Sequence, residues 1–365
     1  MKRLTTLALI VGLCTVVGLF LSSGLEDVAA AVVSAGWGAL VVVLARAVAV
    51  AWAGLGWFVI FPRAERPSLR DSVVLRFVRE GINTLLPVAQ VGGDFVAARL
   101  LTKRGVSGGV AGASMFVDLM TQAVTQFLFT VAGVALLAWL AGDGPIVRTV
   151  AGGLAVAAPA LAAFYLIQRR SGHKVIQGLV SRFAGSREWR ALGAIDVLYE
   201  ALKRLYANHG RVAGGIGIHL VGWLIGTIEV YVCLHFMGYP VSFLEAVVIE
   251  SLAQAVRGAA FAVPGALGAQ EGGLIALCAI FGIPAEAALA LSLVKRLADL
   301  LVGVPGLLAW HALEGKGGPA PDGDAVAPRH VPPHAAPVVV PYGNDRGTTL
   351  LRPVDGDLGD LKKCA

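Results

Sequence analysis

Residues 261–273 read Phe-Ala-Val-Pro-Gly-Ala-Leu-Gly-Ala-Gln-Glu-Gly-Gly and lie between two apolar segments. Pro264 removes a backbone donor and glycine tolerates any φ, so we expect a helix to break near Pro264 and to restart near Ala269. Broken backbone at membrane depth is stable only where protein buries it or where it lines a wet cavity. A carboxylate beside such a break, here Glu271, is a candidate functional group. The alternative is a loop between two short helices, with Glu271 simply solvated.

The composition is that of a polytopic membrane protein. Of the 365 residues, 56% are hydrophobic and 15% are charged, and the mean hydropathy is +0.74. Soluble domains carry about 25% charged residues. The formal net charge of +6 is concentrated in loops, so we interpret it as topology bias and not as nucleic-acid binding. The four cysteines have neither metal-ligand nor disulfide spacing, and we expect no cofactor and no metal.

The hydropathy pattern predicts an all-α fold with about six full transmembrane helices and two re-entrant broken-helix hairpins. Loops rich in Lys and Arg place the N- and C-termini on the cytoplasmic side. The predicted membrane domain covers residues 1–314, and the polar, aperiodic residues 315–365 form a disordered tail. The predicted spans are residues 4–20, 36–61, 107–140, 146–168, 212–237 and 284–313.

Residues 169–211 form the main cytoplasmic segment, with apolar side chains at helical spacing and basic residues on other faces. This pattern predicts a basic amphipathic helix. The helix either lies on the inner leaflet or packs on the cytosolic face of the protein itself.

The two predicted hairpins, about 72–104 and 241–283, match each other in sequence. Pro87 is followed seven residues later by Asp94, and Pro264 is followed seven residues later by Glu271. A glycine follows each proline after eighteen residues, Gly105 and Gly282. The loop charges predict that the first hairpin enters from the cytoplasm and the second from outside, which is the inverted repeat of many transporters. The alternative is coincidence in a chain rich in Gly, Ala and Val.

Three motifs resemble the membrane region of lysylphosphatidylglycerol synthases, also called the flippase-like domain. They are Arg-Glu-Gly-Ile-Asn-Thr-Leu-Leu-Pro at 79–87, Gly-Gly-Asp at 92–94 with Arg99, and Pro-Gly-Ala-Leu-Gly-Ala-Gln-Glu at 264–271. The resemblance covers about residues 1–315 and implies an integral membrane lipid translocase. That domain also occurs as a stand-alone protein, including members associated with hopanoid biosynthesis. Bifunctional members add a cytosolic aminoacyl-transfer domain, whereas this chain continues into a polar tail, so we expect no lipid aminoacylation here.

A lipid translocase must shield a polar headgroup while the tails stay in hydrocarbon. Arginine suits phosphate because its planar fork makes bidentate bonds. Carboxylates would balance those charges or meet a cationic or hydroxylated headgroup, and amides supply donors and acceptors. The candidate substrate-binding residues are Arg76, Arg79, Glu80, Asn83, Asp94, Arg99, Asp118, Arg257, Gln270, Glu271, Lys295, Arg296 and Asp299.

Several of these residues have a structural alternative. Arg76 and Arg79 could be inner-face anchors, and Glu80 could serve only to pair with Arg76 four residues earlier. The charges at 295–299 could form a structural ion pair within one turn. We expect Asp118 to meet a cation from another helix.

Charged or titratable residues also lie inside two other predicted spans: Arg46 in residues 36–61, and His219 with Glu229 in residues 212–237. We expect Arg46 to face the bundle interior, and the alternative is that its side chain snorkels towards the membrane surface. A lone histidine in a span is more often a packing residue than a ligand, so we assign His219 no role.

We therefore expect a lipid translocase that is not an enzyme, located in a bacterial cytoplasmic (inner) membrane. Its expected partner is a membrane lipid such as a phospholipid or hopanoid. We do not expect it to bind nucleic acid. Two alternatives stay open: a membrane-embedded enzyme acting on a lipid headgroup, and a non-catalytic partner of a lipid-synthesis enzyme. The sequence carries no ATP-binding loop of the G-x-x-x-x-G-K-[ST] type. The lipid and the oligomeric state do not follow from the sequence.

Overall fold

The long apolar runs of the sequence form helices in the computed structural model, which describes residues 25–86, 92–142, 144–168, 188–260 and 263–315. These residues contain ten α-helices and no β-strand. The helices are α1 (Leu25–Ile60), α2 (Leu69–Leu85), α3 (Gly92–Thr102), α4 (Gly108–Ala141), α5 (Pro145–Ile167), α6 (Glu188–Ala207), α7 (His209–Phe236), α8 (Phe243–Ala259), α9 (Ala269–Ile280) and α10 (Ala285–Gly315).

Among the described residues, four helices are long and apolar enough to cross a membrane: Glu26–Ile60, Gly108–Leu140, Val147–Ile167 and His209–Phe236. Large apolar side chains on them are exposed, for example Trp37 at 78% and Trp139 at 73%. A lipid environment accommodates such a surface, whereas large apolar patches are rare on soluble monomers. The predicted all-α polytopic membrane fold is confirmed.

The number of spans stays a prediction. The predicted first helix, residues 4–20, and the predicted disordered tail lie outside the described residues. The predicted last crossing forms α10, which carries Lys295, Arg296 and Asp299. The second predicted span begins earlier than expected: α1 starts at Leu25 instead of near residue 36 because the Ala- and Val-rich run continues the helix through a kink at Gly36.

The first hairpin forms as two helices broken where the sequence predicts. Ser68 caps α2 by accepting a hydrogen bond from the Asp71 backbone N–H at 3.0 Å. The helix ends at Leu85, and α3 starts at Gly92. The short helix α3 then packs back against α2.

The second hairpin repeats this design. Ser242 and Glu245 form a reciprocal capping box at the start of α8. After α8, residues 264–266 form one 3-10 turn, and α9 restarts at Ala269. Glu271 is 1% exposed, so the alternative of a solvated Glu271 is wrong.

The glycines that close the two hairpins have the same backbone conformation. Gly105 has φ 86° after α3, and Gly282 has φ 71° after α9. Positive φ strains residues with a Cβ, which explains why glycine recurs at this offset. Each glycine leads into a long helix, α4 or α10. The sequence repeat is therefore also a repeat of secondary structure.

Helix α6, the described part of the predicted cytoplasmic segment, packs on the protein itself. Leu202 and Leu205 are buried. The Val197 side chain lies against Gly109 of α4, and a Cβ added to Gly109 would lie 2.6 Å from Val197 Cγ1. Between the two alternatives from the sequence, these contacts favour packing on the protein's own surface. Residues 169–187 of the segment lie outside the described residues.

Candidate functional site

A cavity of about 300 Å³ lies between the two hairpins. Helices α2 and α3 supply one part of its wall, and α8 with the loop at Gly265 supplies another. Helices α1, α4 and α7 complete it. The charged residues that line the cavity are Arg46, Arg76, Arg79, Glu80, Asp94 and Arg257. Polar side chains between them belong to Asn83, Thr84, Gln122, His219, Trp223 and Gln254.

Arg79 joins the three helices of the first repeat. Its guanidinium lies 2.5 Å from Asp94 Oδ1 on α3 and 2.7 Å from Asp118 Oδ2 on α4. The same guanidinium lies 4.9 Å from the Trp57 ring centroid, within cation–π range. Arg79 is 2% exposed. A buried guanidinium needs such compensation, because an unpaired charge would cost several kcal/mol.

Asp118 is the most heavily bonded carboxylate of this network. Besides Arg79, three further side-chain nitrogens lie near its carboxylate oxygens: Gln122 Nε2 at 2.8 Å, His219 Nε2 at 3.0 Å and Arg76 Nη1 at 3.5 Å. The prediction that Asp118 meets a cation from another helix is confirmed. His219, to which sequence reasoning assigned no role, lines the cavity and contacts this carboxylate.

Asp94 is fixed by the local geometry of the hairpin. Asn83 donates from Nδ2 to Asp94 Oδ2 at 2.9 Å and accepts from the Gly93 backbone N–H at 2.7 Å. A Cβ at position 93 would lie 2.5 Å from the Arg79 carbonyl oxygen. The Gly-Gly-Asp motif therefore lets α3 approach α2 closely enough to place the carboxylate on Arg79 and Asn83.

Glu271 is held in an equivalent way in the second repeat. It accepts from the Gly268 backbone N–H at 2.8 Å, from Ser292 Oγ at 2.9 Å and from Arg296 Nε at 2.8 Å. Gln270 donates to the same serine hydroxyl at 3.0 Å. Arg296 also donates to the Gly265 carbonyl at 3.3 Å, so α10 holds both α9 and the broken segment before it.

A third group of buried charges connects α1, α7, α8 and α10. Lys295 Nζ lies 2.8 Å from Glu250 Oε2 and 3.1 Å from Glu229 Oε2. Arg46 donates to Glu229 at 3.0 Å, and its Nε lies 3.4 Å from Asp299 Oδ1. The prediction that Arg46 faces the interior is confirmed.

The two repeats carry the same ion pair with the signs exchanged. Arg76 and Glu250 each lie seven residues after the first residue of their helix, α2 or α8. Asp118 and Lys295 each lie ten residues after the first residue of α4 or α10. The corresponding pairs are Arg76–Asp118 at 3.5 Å and Glu250–Lys295 at 2.8 Å.

The candidate residues fall into three groups by position. Arg76, Arg79, Glu80, Asn83, Asp94 and Arg257 line the cavity. Asp118, Gln270, Glu271, Lys295, Arg296 and Asp299 lie within the surrounding network of ion pairs and hydrogen bonds. Arg99 stands apart from both groups: its side chain is 55% exposed and pairs with Glu314.

The local pairings predicted from spacing are formed only in part. Glu80 lies 3.9 Å from Arg76, as the alternative for this residue predicts. The charged residues of α10 pair with residues of other helices and not with each other. Lys295 pairs with Glu229 and Glu250, Arg296 with Glu271, and Asp299 with Arg46 and Arg257.

Sequence reasoning missed Arg46, Gln122, His219, Glu229 and Glu250 as members of the site. Each is a polar or charged residue within an apolar helix, a feature that marks functional groups in membranes. That signal alone could have found them.

Comparisons with known proteins agree with the motifs. Neither the curated proteins nor the solved structures gave a match to this chain. The family model described as the lysylphosphatidylglycerol synthase TM region matches residues 6–306. That range includes both hairpins and every residue named above as lining the cavity. The chain belongs to the lysylphosphatidylglycerol synthase TM region family.

Proposed function

We propose that this protein is a lipid translocase that carries a polar headgroup between the two leaflets through the cavity between its hairpins. The observation that carries the proposal is the cavity itself, a space of about 300 Å³ in a bundle of apolar helices, lined by six charged side chains from both halves of the chain. Charged groups in such a setting are expensive and are usually retained for function.

The physical task explains the arrangement. A headgroup loses its hydration when it enters hydrocarbon, and the protein must replace that hydration with fixed charges and hydrogen-bond donors. Arg46, Arg76 and Arg257 supply charges on the cavity wall, while buried carboxylates such as Asp118 and Asp299 hold the guanidinium groups in place. The acyl tails need no such replacement, because they stay in contact with apolar helix surfaces.

Opening to either side would follow from the repeat. If the hairpins insert from opposite faces, rocking one repeat against the other exposes the cavity alternately to each leaflet. The family and the matched hairpins support this mechanism. The cargo is an amphipathic membrane lipid, a phospholipid or a hopanoid, and we place the protein in a bacterial cytoplasmic membrane with both termini inside.

The proposal is tested with purified protein in liposomes that carry a fluorescent lipid in both leaflets. A membrane-impermeant quencher added outside bleaches the outer leaflet at once and the inner leaflet only as lipid crosses. We expect the protein to accelerate the slow phase at least tenfold over protein-free liposomes for one class of phospholipid or hopanoid. Rates equal to those of protein-free liposomes across these lipids, with protein that remains monodisperse, would contradict the proposal.

A further inference from the structure

The buried charges of the described residues form three groups joined by ion pairs, and two of these groups are balanced. The first has three cations and three carboxylates: Arg46, Arg257 and Lys295 with Glu229, Glu250 and Asp299. The second is the pair of Arg296 with Glu271. Balance is expected in such a place, because an unpaired charge in an apolar helix bundle is costly.

The third group, which we call the Asp118 group, is not balanced. It has two arginines and three carboxylates: Arg76 and Arg79 with Glu80, Asp94 and Asp118. When all of them are ionised, one negative charge is left over. Glu80 is the most loosely held carboxylate, since Arg76 lies 3.9 Å away and Thr84 donates to it at 3.4 Å. The group therefore lacks one positive charge.

His219 is the titratable side chain that lies against the Asp118 group. Its Nε2 is 3.0 Å from Asp118 Oδ1, and the residue is 5% exposed. Helix α1 packs on the imidazole ring, because a Cβ added to Gly56 would lie 2.9 Å from Nε2. The other described histidines, His209, His235 and His311, are exposed. The group with the unmatched carboxylate is thus also the group that a buried histidine contacts.

The charged side chains on the helices around His219 otherwise have partners. Helices α1, α8 and α10 pack against α7, and their charges belong to the balanced groups: Arg46, Glu250, Arg257, Lys295, Arg296 and Asp299. Glu229 of α7 itself belongs there too. Helix α4 presents Asp118, through which Arg76 and Arg79 of α2 reach the histidine. The charges of α6 at 196, 200, 203 and 204 are exposed and do not line the cavity.

We propose that His219 is a proton-binding site whose proton completes the charge balance of the Asp118 group. In the charged form both ring nitrogens carry hydrogen, and Nε2–H donates to Asp118 Oδ1. Two arginines and one imidazolium then face three carboxylates. Histidine suits this task because it changes its charge between about pH 5 and 8.

The proton regulates the cavity, an inference that rests on the proposed function. His219, Arg76 and Glu80 all line the cavity, so loss of the proton leaves an excess negative charge on its wall. That charge is tolerable while the cavity is open to water. It opposes closure around a headgroup, because closure expels the water that solvates it. Transport therefore slows as the pH rises and the proton leaves.

The proton is observed directly by NMR of purified protein labelled with ¹⁵N-histidine in an uncharged detergent. The ring-nitrogen signals distinguish imidazolium from neutral imidazole, and His219→Asn identifies the signal of His219. We expect imidazolium at about pH 7, where an ordinary histidine is largely neutral. Exposed His235, on the same helix, is the internal control and should be neutral.

A second variant tests the charge balance itself. Glu80→Gln removes the unmatched carboxylate, so it should weaken proton binding at His219 about tenfold. Glu200→Gln, which removes an exposed carboxylate of α6, is the matched control and should leave proton binding unchanged.

Each NMR outcome decides the inference. A neutral His219 at about pH 7 would overturn it, since the excess charge would then stay on the partly exposed Glu80. Equal proton binding in the native protein and in Glu80→Gln would overturn the charge balance. If His219→Asn does not fold, substituting the other histidines one at a time assigns the His219 signal by elimination.

The liposome assay separates this inference from the proposed function. With equal pH inside and outside and a lipid whose headgroup does not titrate, we expect transport to fall several-fold from about pH 6 to 8. His219→Asn should abolish this pH dependence and His235→Asn should keep it. If the rate ignores pH, the translocase stands and regulation by the proton falls. If no lipid moves at any pH, the proposed function falls, and the NMR result still decides whether His219 binds the proton.

Discussion

Asp94 and Glu271 are the third residues of α3 and α9, the helices that restart after the break in each hairpin, and each residue is 1% exposed. Each carboxylate is held by an arginine from another helix, Arg79 of α2 or Arg296 of α10. The two carboxylates thus occupy equivalent positions in their hairpins, but the arginines do not: Arg79 belongs to the first helix of its own hairpin, whereas Arg296 belongs to the helix that follows the second hairpin.

The ion pairs of Lys295 join α10 to α7 and α8. Replacing Lys295 by Met removes the cation that lies between Glu229 and Glu250. Breaking a buried pair in this way costs about 3–5 kcal/mol. We expect a loss of that size in the free energy of unfolding, measured by detergent titration of the purified protein. Adding Glu250→Gln should recover part of the loss because one uncompensated charge is removed, and a Lys295→Met variant as stable as the native protein would contradict the pairing.

The breaks in the two hairpins could be predicted because their causes are local. Proline and glycine act on their own backbone, so the pattern around Pro264 was enough to predict a break near Pro264 and a restart near Ala269. In the structure α8 ends at Ala259 and α9 begins at Ala269. The pairing of charges could not be predicted in the same way. The contact of His219 with Asp118 joins residues 101 positions apart and depends on how α4 packs against α7.

Arg99 shows that closeness in sequence to a motif residue does not place a side chain in the same site. It follows Asp94 by five residues on the same helix, which rotates it by about 140° and moves it about 7.5 Å along the axis. Asp94 therefore faces Arg79 while Arg99 reaches the exposed carboxylate of Glu314.

Close glycine contacts should control the packing of α2 on α10. A Cβ at Gly306 would lie 2.1 Å from the Phe77 carbonyl oxygen, a backbone atom that cannot move alone. We expect Gly306→Ala to destabilise the protein by about 1–3 kcal/mol, the usual cost of overpacking. Gly217→Ala is the matched control, since nothing lies within 4 Å of a Cβ there. Thermal unfolding in detergent compares the two, and equal melting temperatures would show that this helix contact is not tight.

The proposed inversion of the repeat can be tested through its topology. Reporter fusions that end at Lys103 and at Gly282, the closing loops of the two hairpins, should report opposite sides of the membrane. The reason is that the loop charges predict the ends of the first hairpin inside and the ends of the second hairpin outside. A pair of reporters, one active only in the cytoplasm and one only outside, gives each position two readings. The same side for both loops would remove the inversion and the alternating mechanism with it.

The exposed pair Arg99–Glu314 should be dispensable for transport. It lies outside the cavity, and its side chains are 55% and 34% exposed, so its contribution to stability is small. We expect Arg99→Gln to move lipid in liposomes within about twofold of the native rate. A loss as large as that of a cavity variant would place Arg99 in the transport pathway despite its position.

The most direct test of the proposal that both repeats serve transport is leaflet-resolved lipid movement in liposomes by Asp94→Asn, on the cavity wall, and Glu271→Gln, in the surrounding network. Both variants keep the shape of the side chain and remove its charge, and Arg79 keeps Asp118 as a partner in the first case. We expect both variants to insert normally into the membrane and to move lipid only at the rate of protein-free liposomes, although the two residues lie in different halves of the chain. Native transport rates in both variants would contradict the proposal.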